Sequence, residues 1–275
     1  MKLLWNQIIY YTNLKIKFYK YQGTGNDFII IDDRNKTFDA NNQKLIEGLC
    51  DRRFGIGADG LILLQSHENA DFYMQYFNSD GRESSMCGNG GRCIAQFAKD
   101  LNIVNETASF FAIDGEHTAN YENGLVSLQM MNINHVDRRA NHVFVLNTGS
   151  PHFVQFFDQD VDSMDLVAEA KKIRYNSEFT ANGINVNFVS IHQEILKVRT
   201  YERGVEDETF SCGTGVTAVA IASHLFKKDD AVKHHFQIQT KGGNLSVNYL
   251  FNENKYTNVF LQGPAIFVFD GEIDI

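Results

Sequence analysis

Two cysteines in this 275-residue chain stand where a thiol can do chemistry. Cys212 lies in Ser211-Cys-Gly-Thr-Gly215, directly ahead of a stretch from Gly213 to Phe226 in which no residue carries a full charge. Such a stretch reads as a helix buried on every side. Cys87 lies in Met86-Cys-Gly-Asn-Gly-Gly-Arg-Cys93, ahead of a helix with Cys93, Ile94, Phe97, Ala98 and Leu101 on one apolar face. Each sulfur therefore sits at a helix N-terminus, where unpaired N–H groups and the macrodipole favour an anion. The expected consequence is a thiolate stabilised below the free-thiol pKa of about 8.5. The glycines that follow each sulfur let backbone approach a bound group closely.

A lone cysteine before a core helix is most often a packing residue, and Cys93, inside the first helix, is expected to be one. Two cysteines in matching settings, 125 positions apart, read instead as an internal duplication. If folding sets the thiols on either side of one carbon, one can remove a Cα proton while the other protonates the opposite face. That is the chemistry of racemisation. The N–H groups of both helix tips would hold the substrate carboxylate and stabilise the charge that develops on it. The scheme calls for no cofactor and no metal, and the sequence has no His/Cys cluster at ligand spacing and no lysine motif for pyridoxal.

The elements that must position these thiols are mainly short strands. Residues 16–21 and 28–32 read as strands joined by Gly23-Thr-Gly-Asn-Asp27. That turn lacks the third glycine and the following helix of a dinucleotide fingerprint. A helix over 39–50, strands over 61–64 and 71–77, the Cys87 helix and strands over 108–113, 117–121 and 125–130 complete the first half. Polar residues 132–141 are the best linker candidate. The second half begins with a strand over 143–146, a turn at Thr148-Gly-Ser-Pro-His152 and a second strand. A helix over 162–174, strands over 184–191 and 195–201, the Cys212 helix and four final strands follow. The fold class is α+β, with two pseudo-symmetric domains, each a curled sheet around a central helix. Residues 15–135 are expected to form the first domain, completed by 264–275, and residues 136–263 the second. Residues 1–14 read as an extension.

Bulk properties narrow the function classes. A formal net charge of −9, with no basic stripe, argues against a nucleic-acid partner. No stretch reaches the roughly 18 apolar residues needed to span a bilayer, so no membrane partner is expected. Four irregularly spaced cysteines make a disulfide framework improbable and point to reduced, cytoplasmic thiols.

Several stretches together resemble the diaminopimelate epimerase family: Gly23-Thr-Gly-Asn-Asp-Phe28, Gly55-Ile-Gly-Ala-Asp-Gly60, Phe77-Asn-Ser-Asp-Gly81, Met86 to Cys93, Pro151-His152, Asn185-Val-Asn-Phe188, Tyr201-Glu-Arg-Gly204 and Ser211 to Gly215. The resemblance covers Ile16 to the C-terminus with the motifs in order. It implies a cofactor-independent isomerase that interconverts LL- and meso-2,6-diaminopimelate, usually as a homodimer, in lysine and cell-wall precursor synthesis. It implies Cys87 and Cys212 as the acid/base pair, and Gly88, Asn89, Gly213 and Thr214 as the site for the reacting-end carboxylate. Asn26, Asn78, Asn185, Glu202 and Arg203 are similar to residues that grip the substrate, and His152 and Glu202 to residues that tune the thiols. A Glu and an Arg side by side suit a distal end carrying an ammonium and a carboxylate. Two departures stand out: Ser150 replaces the family's Asn before Pro-His, and Gly60 stands where some members place a Gln. A proline or hydroxyproline racemase has the same thiol pair but no need of the Glu202-Arg203 clamp. A thiol redox switch joining Cys87 to Cys212 is the alternative from a different class, ahead of a pure binding protein for a small dicarboxylate.

Overall fold

The computed structural model describes residues 15–228 and 231–275, and the expected extension over residues 1–14 lies outside them. Among the described residues the chain forms eighteen strands linked by hydrogen bonds into one sheet, and four α-helices. The first half runs β1 (Lys15–Gly23), β2 (Asn26–Asp32), α1 (Gln43–Cys50), β3 (Gly60–Gln65), β4 (Phe72–Asn78), β5 (Glu83–Ser84), α2 (Gly88–Asp100), β6 (Thr107–Ala112), β7 (Gly115–Glu122) and β8 (Leu125–Gln129). The second runs β9 (Val136–Ala140), β10 (Val143–Asn147), β11 (Pro151–Phe157), α3 (Leu166–Arg174), β12 (Asn185–His192), β13 (Ile195–Glu202), β14 (Asp207–Thr209), α4 (Gly213–Lys227), β15 (Lys233–Thr240), β16 (Gly243–Asn252) and β17 (Lys255–Gly263). A last strand, β18 (Ile266–Asp274), returns to pair antiparallel with β1.

The pairing pattern repeats element for element. In the first half β1–β2 is antiparallel, β2–β3 parallel, β3–β4 antiparallel, β4–β6 parallel, and β6–β7–β8 an antiparallel meander. In the second, β10–β11, β11–β12, β12–β13, β13–β15 and β15–β16–β17 follow the same sequence of senses. Helices α1 and α3 fall inside the equivalent parallel crossovers, as do α2 and α4. The duplication read from the two cysteines is thus a duplication of topology. The halves join edge to edge where β8 pairs antiparallel with β17, from Phe260 opposite Gln129 to Gly263 opposite Val126.

Local sequence explains the elements. Lys233 to Thr240 alternates exposed and buried residues without a break, as a half-buried strand must. Every residue of α4 from Gly215 to His224 is buried, so this helix needs no polar face. Together α2 and α4 fill the largest core, and smaller cores lie under α1 and α3.

Three expectations needed adjustment. The helix expected over 39–50 starts at Gln43, because the Asn42 side chain caps it by accepting from the Leu45 N–H. The helix expected over 162–174 is a single 3-10 turn at Val161–Ser163 and then α3, which Asp165 caps by accepting from the Ala168 N–H. The polar stretch 132–141 is not mere linker: it carries β9, paired with β10. Its Val-Asp-Arg-Arg-Ala sequence is largely exposed at a sheet edge, so hydrophobic alternation could not mark it.

Candidate active site

Cys87 and Cys212 are the N-cap residues of α2 and α4, both in extended backbone conformation. Their carbonyls accept the first helical bonds, from Gly91 N at 2.7 Å and Val216 N at 2.9 Å. The two helices meet tip to tip. A Cβ on Gly213 would lie 3.2 Å from the Gly88 Cα and 2.9 Å from the Leu261 side chain, so only glycine permits this approach. The first turns of both helices therefore come together, and each begins with a cysteine at its N-cap.

Around Cys87 the contacts lead into charge. Its Sγ lies 3.7 Å from Asn26 Oδ1, which also accepts from Asn89 Nδ2 at 3.2 Å. Asn89, itself buried, also donates to the carbonyl of Ser211 at 3.0 Å and so ties one tip to the residue before the other thiol. Asn26 Nδ2 donates to Asp59 at 2.6 Å. Arg52 bridges Asp59 and Asp27, at 2.7 and 2.6 Å, and the buried Lys20 pairs with Asp27 at 2.7 Å. Burial would raise the Asp27 carboxyl, but Arg52 and Lys20 outweigh it and hold the group at about 2.

Around Cys212 the contacts are neutral. Its Sγ lies 3.4 Å from Thr214 Oγ1, which lies 2.9 Å from Nε2 of the fully buried His152. Asn187 Nδ2 donates to the Phe153 carbonyl at 3.0 Å, while Asn187 Oδ1 accepts from Thr200 at 3.0 Å, which fixes the orientation of that amide. The same Nδ2 faces His152 Nδ1 at 3.2 Å, so Nδ1 accepts and the imidazole proton sits on Nε2. His152 then donates to Thr214, and the Thr214 hydrogen is left for the sulfur. Burial, and after it the Arg203 charge, pushes His152 down to about 3, so the ring is neutral.

The thiols themselves correct an expectation. Neither is drawn below the free value: burial pushes both up, Cys212 far up. Backbone N–H groups do favour the charged forms, from Gly90 and Asn89 at Cys87 and from Gly215 at Cys212, together with the Thr214 hydroxyl. Loss of water outweighs them. The Glu202 carboxylate raises both thiols, which puts it in the field of each sulfur.

The residues expected at the distal end form a second cluster. Asn185 is buried, accepts from the Arg203 backbone N–H at 2.8 Å and donates to Ser150 Oγ at 2.9 Å. Arg203 donates to the Asn182 carbonyl at 3.0 Å and reaches Ser150 Oγ at 3.4 Å, so the departure at Ser150 keeps a polar contact through its hydroxyl. Burial raises the carboxyl of Glu202. Asn78 is exposed and accepts from the Tyr76 hydroxyl at 2.9 Å. Gly60 has a steric reason: a Cβ there would lie 2.5 Å from the Phe77 carbonyl and 2.6 Å from the Tyr76 ring. The expected residues thus lie at the helix tips or along Asn185, Glu202 and Arg203, except Asn78, which stands apart on β4 beside Tyr76.

The sequence reading missed Asp59, Tyr76, Arg92 and Asn187. Asn187 and Asp59 lay inside quoted motifs, two positions from Asn185 and one from Gly60. Among the described residues no group of three or more His, Cys, Asp or Glu side chains could hold a metal ion.

Comparison with known proteins bears on the family of the chain. A family model described as diaminopimelate epimerase matches residues 18–135 and 144–268, one segment in each half. The diaminopimelate epimerase of Flavobacterium psychrophilum is 53% identical over 262 residues, covering 94% of this chain and 100% of the relative. That of Aquifex aeolicus is 38% identical over 277 residues, covering 94% and 98%. Among solved structures, a Bacillus anthracis phenazine biosynthesis protein of the PhzF family superposes with a TM-score of 0.70 at 14% identity, covering 95% of this chain and 100% of that one. A probable proline racemase from Agrobacterium radiobacter gives 0.65 at 13% identity, covering 94% and 92%. At such identities these structures share the fold alone. The sequence matches are of another order: they run through both halves and both cysteine motifs, and the chain belongs to the diaminopimelate epimerase family.

Proposed function

We propose that this chain interconverts LL- and meso-2,6-diaminopimelate, with Cys87 and Cys212 exchanging the proton of one Cα. The observation that carries the reading is the contact of Gly88 with Gly213, which brings together the tips of the two helices that carry the N-cap thiols. The substrate carboxylate lies between the tips, held by N–H groups of Gly88, Asn89, Gly213 and Thr214, which also stabilise the charge that grows on it as the C–H bond breaks. One thiolate takes the Cα proton while the opposite thiol gives its own, and configuration inverts. Asn26, Asn78, Asn185, Glu202 and Arg203 hold the rest of the molecule, with Glu202 on the distal ammonium and Arg203 on the distal carboxylate. His152 acts through Thr214 on Cys212. High thiol pKa values suit this task, since a more basic thiolate is the better acceptor from a weak carbon acid.

Residues 15–135 with 264–275 form one domain and residues 136–263 the other, and they close on the substrate to exclude water. The protein acts in the cytoplasm, where its four free cysteines stay reduced. It works as a homodimer through β18, whose Ile266, Phe267, Val268 and Phe269 are each 44 to 52% exposed, and a sedimentation experiment showing only monomer removes that part. The central test is epimerisation of LL-diaminopimelate in deuterium oxide. Turnover with label entering at Cα, and a loss of about 10³-fold or more in kcat/KM in each of Cys87→Ala and Cys212→Ala, is the expected result. Wild-type rates in either variant under reducing conditions overturn the reading.

A further inference from the structure

We propose that Glu206, locked onto Arg174, is a positioning residue: it sets the turn that carries Glu202 and Arg203 and keeps the Arg203 guanidinium free for the distal carboxylate of the substrate. The inference rests on the diaminopimelate reading above and deepens it, by assigning what aims the distal clamp. The chain leaves β13 in a tight reversal, closed where the Glu206 N–H donates to the Glu202 carbonyl at 2.8 Å. Gly204 takes a φ of 94° and Glu206 a φ of 58°. That left-handed backbone is easy for glycine and uncommon for glutamate, so something beyond local preference holds Glu206 there.

Its side chain supplies the reason. One carboxylate oxygen accepts from Arg174 Nη2 at 2.8 Å and from the Gly204 N–H at 3.2 Å. The other accepts from the Tyr175 hydroxyl at 2.9 Å and the Tyr201 hydroxyl at 3.2 Å. Arg174 is the last residue of α3, Tyr175 follows it, and Tyr201 is buried on β13. Donors from the end of α3, from β13 and from the turn itself thus converge on one carboxylate. The Arg174 and Glu206 side chains are 12% and 33% exposed, so the pair is better sheltered than an ordinary surface ion pair. Burial would raise the Glu206 carboxyl, but Arg174, Tyr175, the Gly204 N–H and Tyr201 outweigh it and hold the group below its ordinary value.

This arrangement decides what Arg203 can do. Its backbone is pinned, because its N–H donates to Asn185 at 2.8 Å. In sequence it has a carboxylate on either side, Glu202 directly before it and Glu206 three residues on, and either is a natural partner for a guanidinium. Yet the Arg203 guanidinium contacts neutral oxygens, the Asn182 carbonyl at 3.0 Å and Ser150 Oγ at 3.4 Å, and among the described residues it joins no ion pair. Glu206 is diverted to Arg174. The two arginines pack together at Gly183, where a Cβ would lie 2.5 Å from Arg203 Cδ and 3.1 Å from Arg174 Cζ. Glu206 therefore neutralises one of two neighbouring cations and leaves the other. The charge that remains on Arg203 is felt at His152, beside the α4 tip. A guanidinium with a fixed backbone and no protein carboxylate is a ready fork for a carboxylate that arrives with the substrate.

The test compares wild type with Glu206→Gln, which keeps the size and removes the charge, in diaminopimelate kinetics and in inhibition by two truncated analogues. 2-Aminopimelate keeps both carboxylates, and lysine lacks the distal one. For Glu206→Gln we expect KM to rise about 5-fold or more with a smaller change in kcat, since the distal contact serves ground state and transition state alike. The inhibition constant of 2-aminopimelate should rise in step, while that of lysine stays within about 2-fold. Arg174→Gln, which frees Glu206 to capture Arg203, should give the same pattern, and the double variant should lose no more than either single one. A merely structural role would weaken both analogues alike, and that result overturns the inference, as does a smaller rise in KM. Wild type that binds lysine as tightly as 2-aminopimelate also overturns it, even if neither variant folds. Wild type that turns over no diaminopimelate refutes the reading beneath, whereas normal turnover with unchanged Glu206→Gln kinetics refutes this inference alone.

Discussion

At the tip of α2, Cys87 touches an amide that leans on Asp59, and Lys20, Asp27 and Arg52 stand behind it. At the tip of α4, Cys212 touches a hydroxyl that leans on a neutral imidazole, and two more uncharged side chains stand behind that. The backbones of the two tips are copies; their supports are not. On the two-thiol reading proposed above, equal backbone serves opposite faces of one carbon, and unequal support serves a pair that holds one proton between two sulfurs. Topology thus fixes where the sulfurs are, and side chains decide how each titrates.

The hardest blow to this comparison is a side chain at the junction. Gly213→Val should separate the tips, because even a Cβ would sit 3.2 Å from the Gly88 Cα. A loss of about 10²-fold or more in kcat/KM is expected, since small misplacements of reacting groups cost that much. Near-normal kinetics would mean that the sulfurs do not depend on the junction.

The two supports should also fail at different pH. His152 has a folded pKa of about 3 against an ordinary value of 6.5, so the unfolded chain takes up the proton first. Stability is full above pH 6.5 and falls from there toward pH 3, by about 3 kcal/mol at pH 4 for this fully buried ring. Asp27, with a folded pKa of about 2 against 3.8, contributes stability that is lost only between those two values. Solvent screening of the half-exposed Arg52 reduces its share to about 1 kcal/mol. Urea midpoints of wild type and His152→Gln should converge as pH drops below about 6.5, and a constant gap down to pH 4 would contradict the assignment.

A gentler cut separates the thiols themselves. Thr214→Val removes the hydroxyl between His152 and Cys212, and should lower kcat about 10-fold and displace the pH limb belonging to Cys212 while that of Cys87 stays in place. Movement of both limbs would show that the supports are shared. The smallest effect is that of salt. At about 1 M, screening of the Arg52 pairs, whose Arg52 side chain is 58% exposed, should cost the Cys87 support less than about 1 kcal/mol and leave the His152 chain untouched. Thermal melts of wild type and Arg52→Gln with and without salt would measure it.

Much of this was written in the sequence. The cysteine motifs gave the helix tips, and their spacing gave the duplication, because each copy needs the same glycines to bring the tips together. The strands over 16–21 and 71–77 announced themselves by alternation, and that over 61–64 by its apolar run. What stayed hidden depends on depth and on distant partners. The rise in both thiol pKa values follows from how far packing removes water, which no local motif encodes. Arg92 is charged at the level of sequence and expected at a surface, and only the fold puts Thr24 and Pro264 around it. Asn187 looked like one more polar residue in a strand until the parallel β11 brought the His152 ring within 3.2 Å of its amide. Gly60 makes sense only beside Tyr76.

The antiparallel seam between β8 and β17 carries a mechanical consequence. Leu261, which packs under both helix tips, belongs to that seam and faces Leu128 across it. The halves cannot swing apart as independent lobes without tearing a ladder of main-chain bonds, so any movement between them has to be a flexing of this shared spine. Amides along 126–129 and 260–263 should therefore be among the slowest to exchange deuterium, in the open and the ligand-filled enzyme alike.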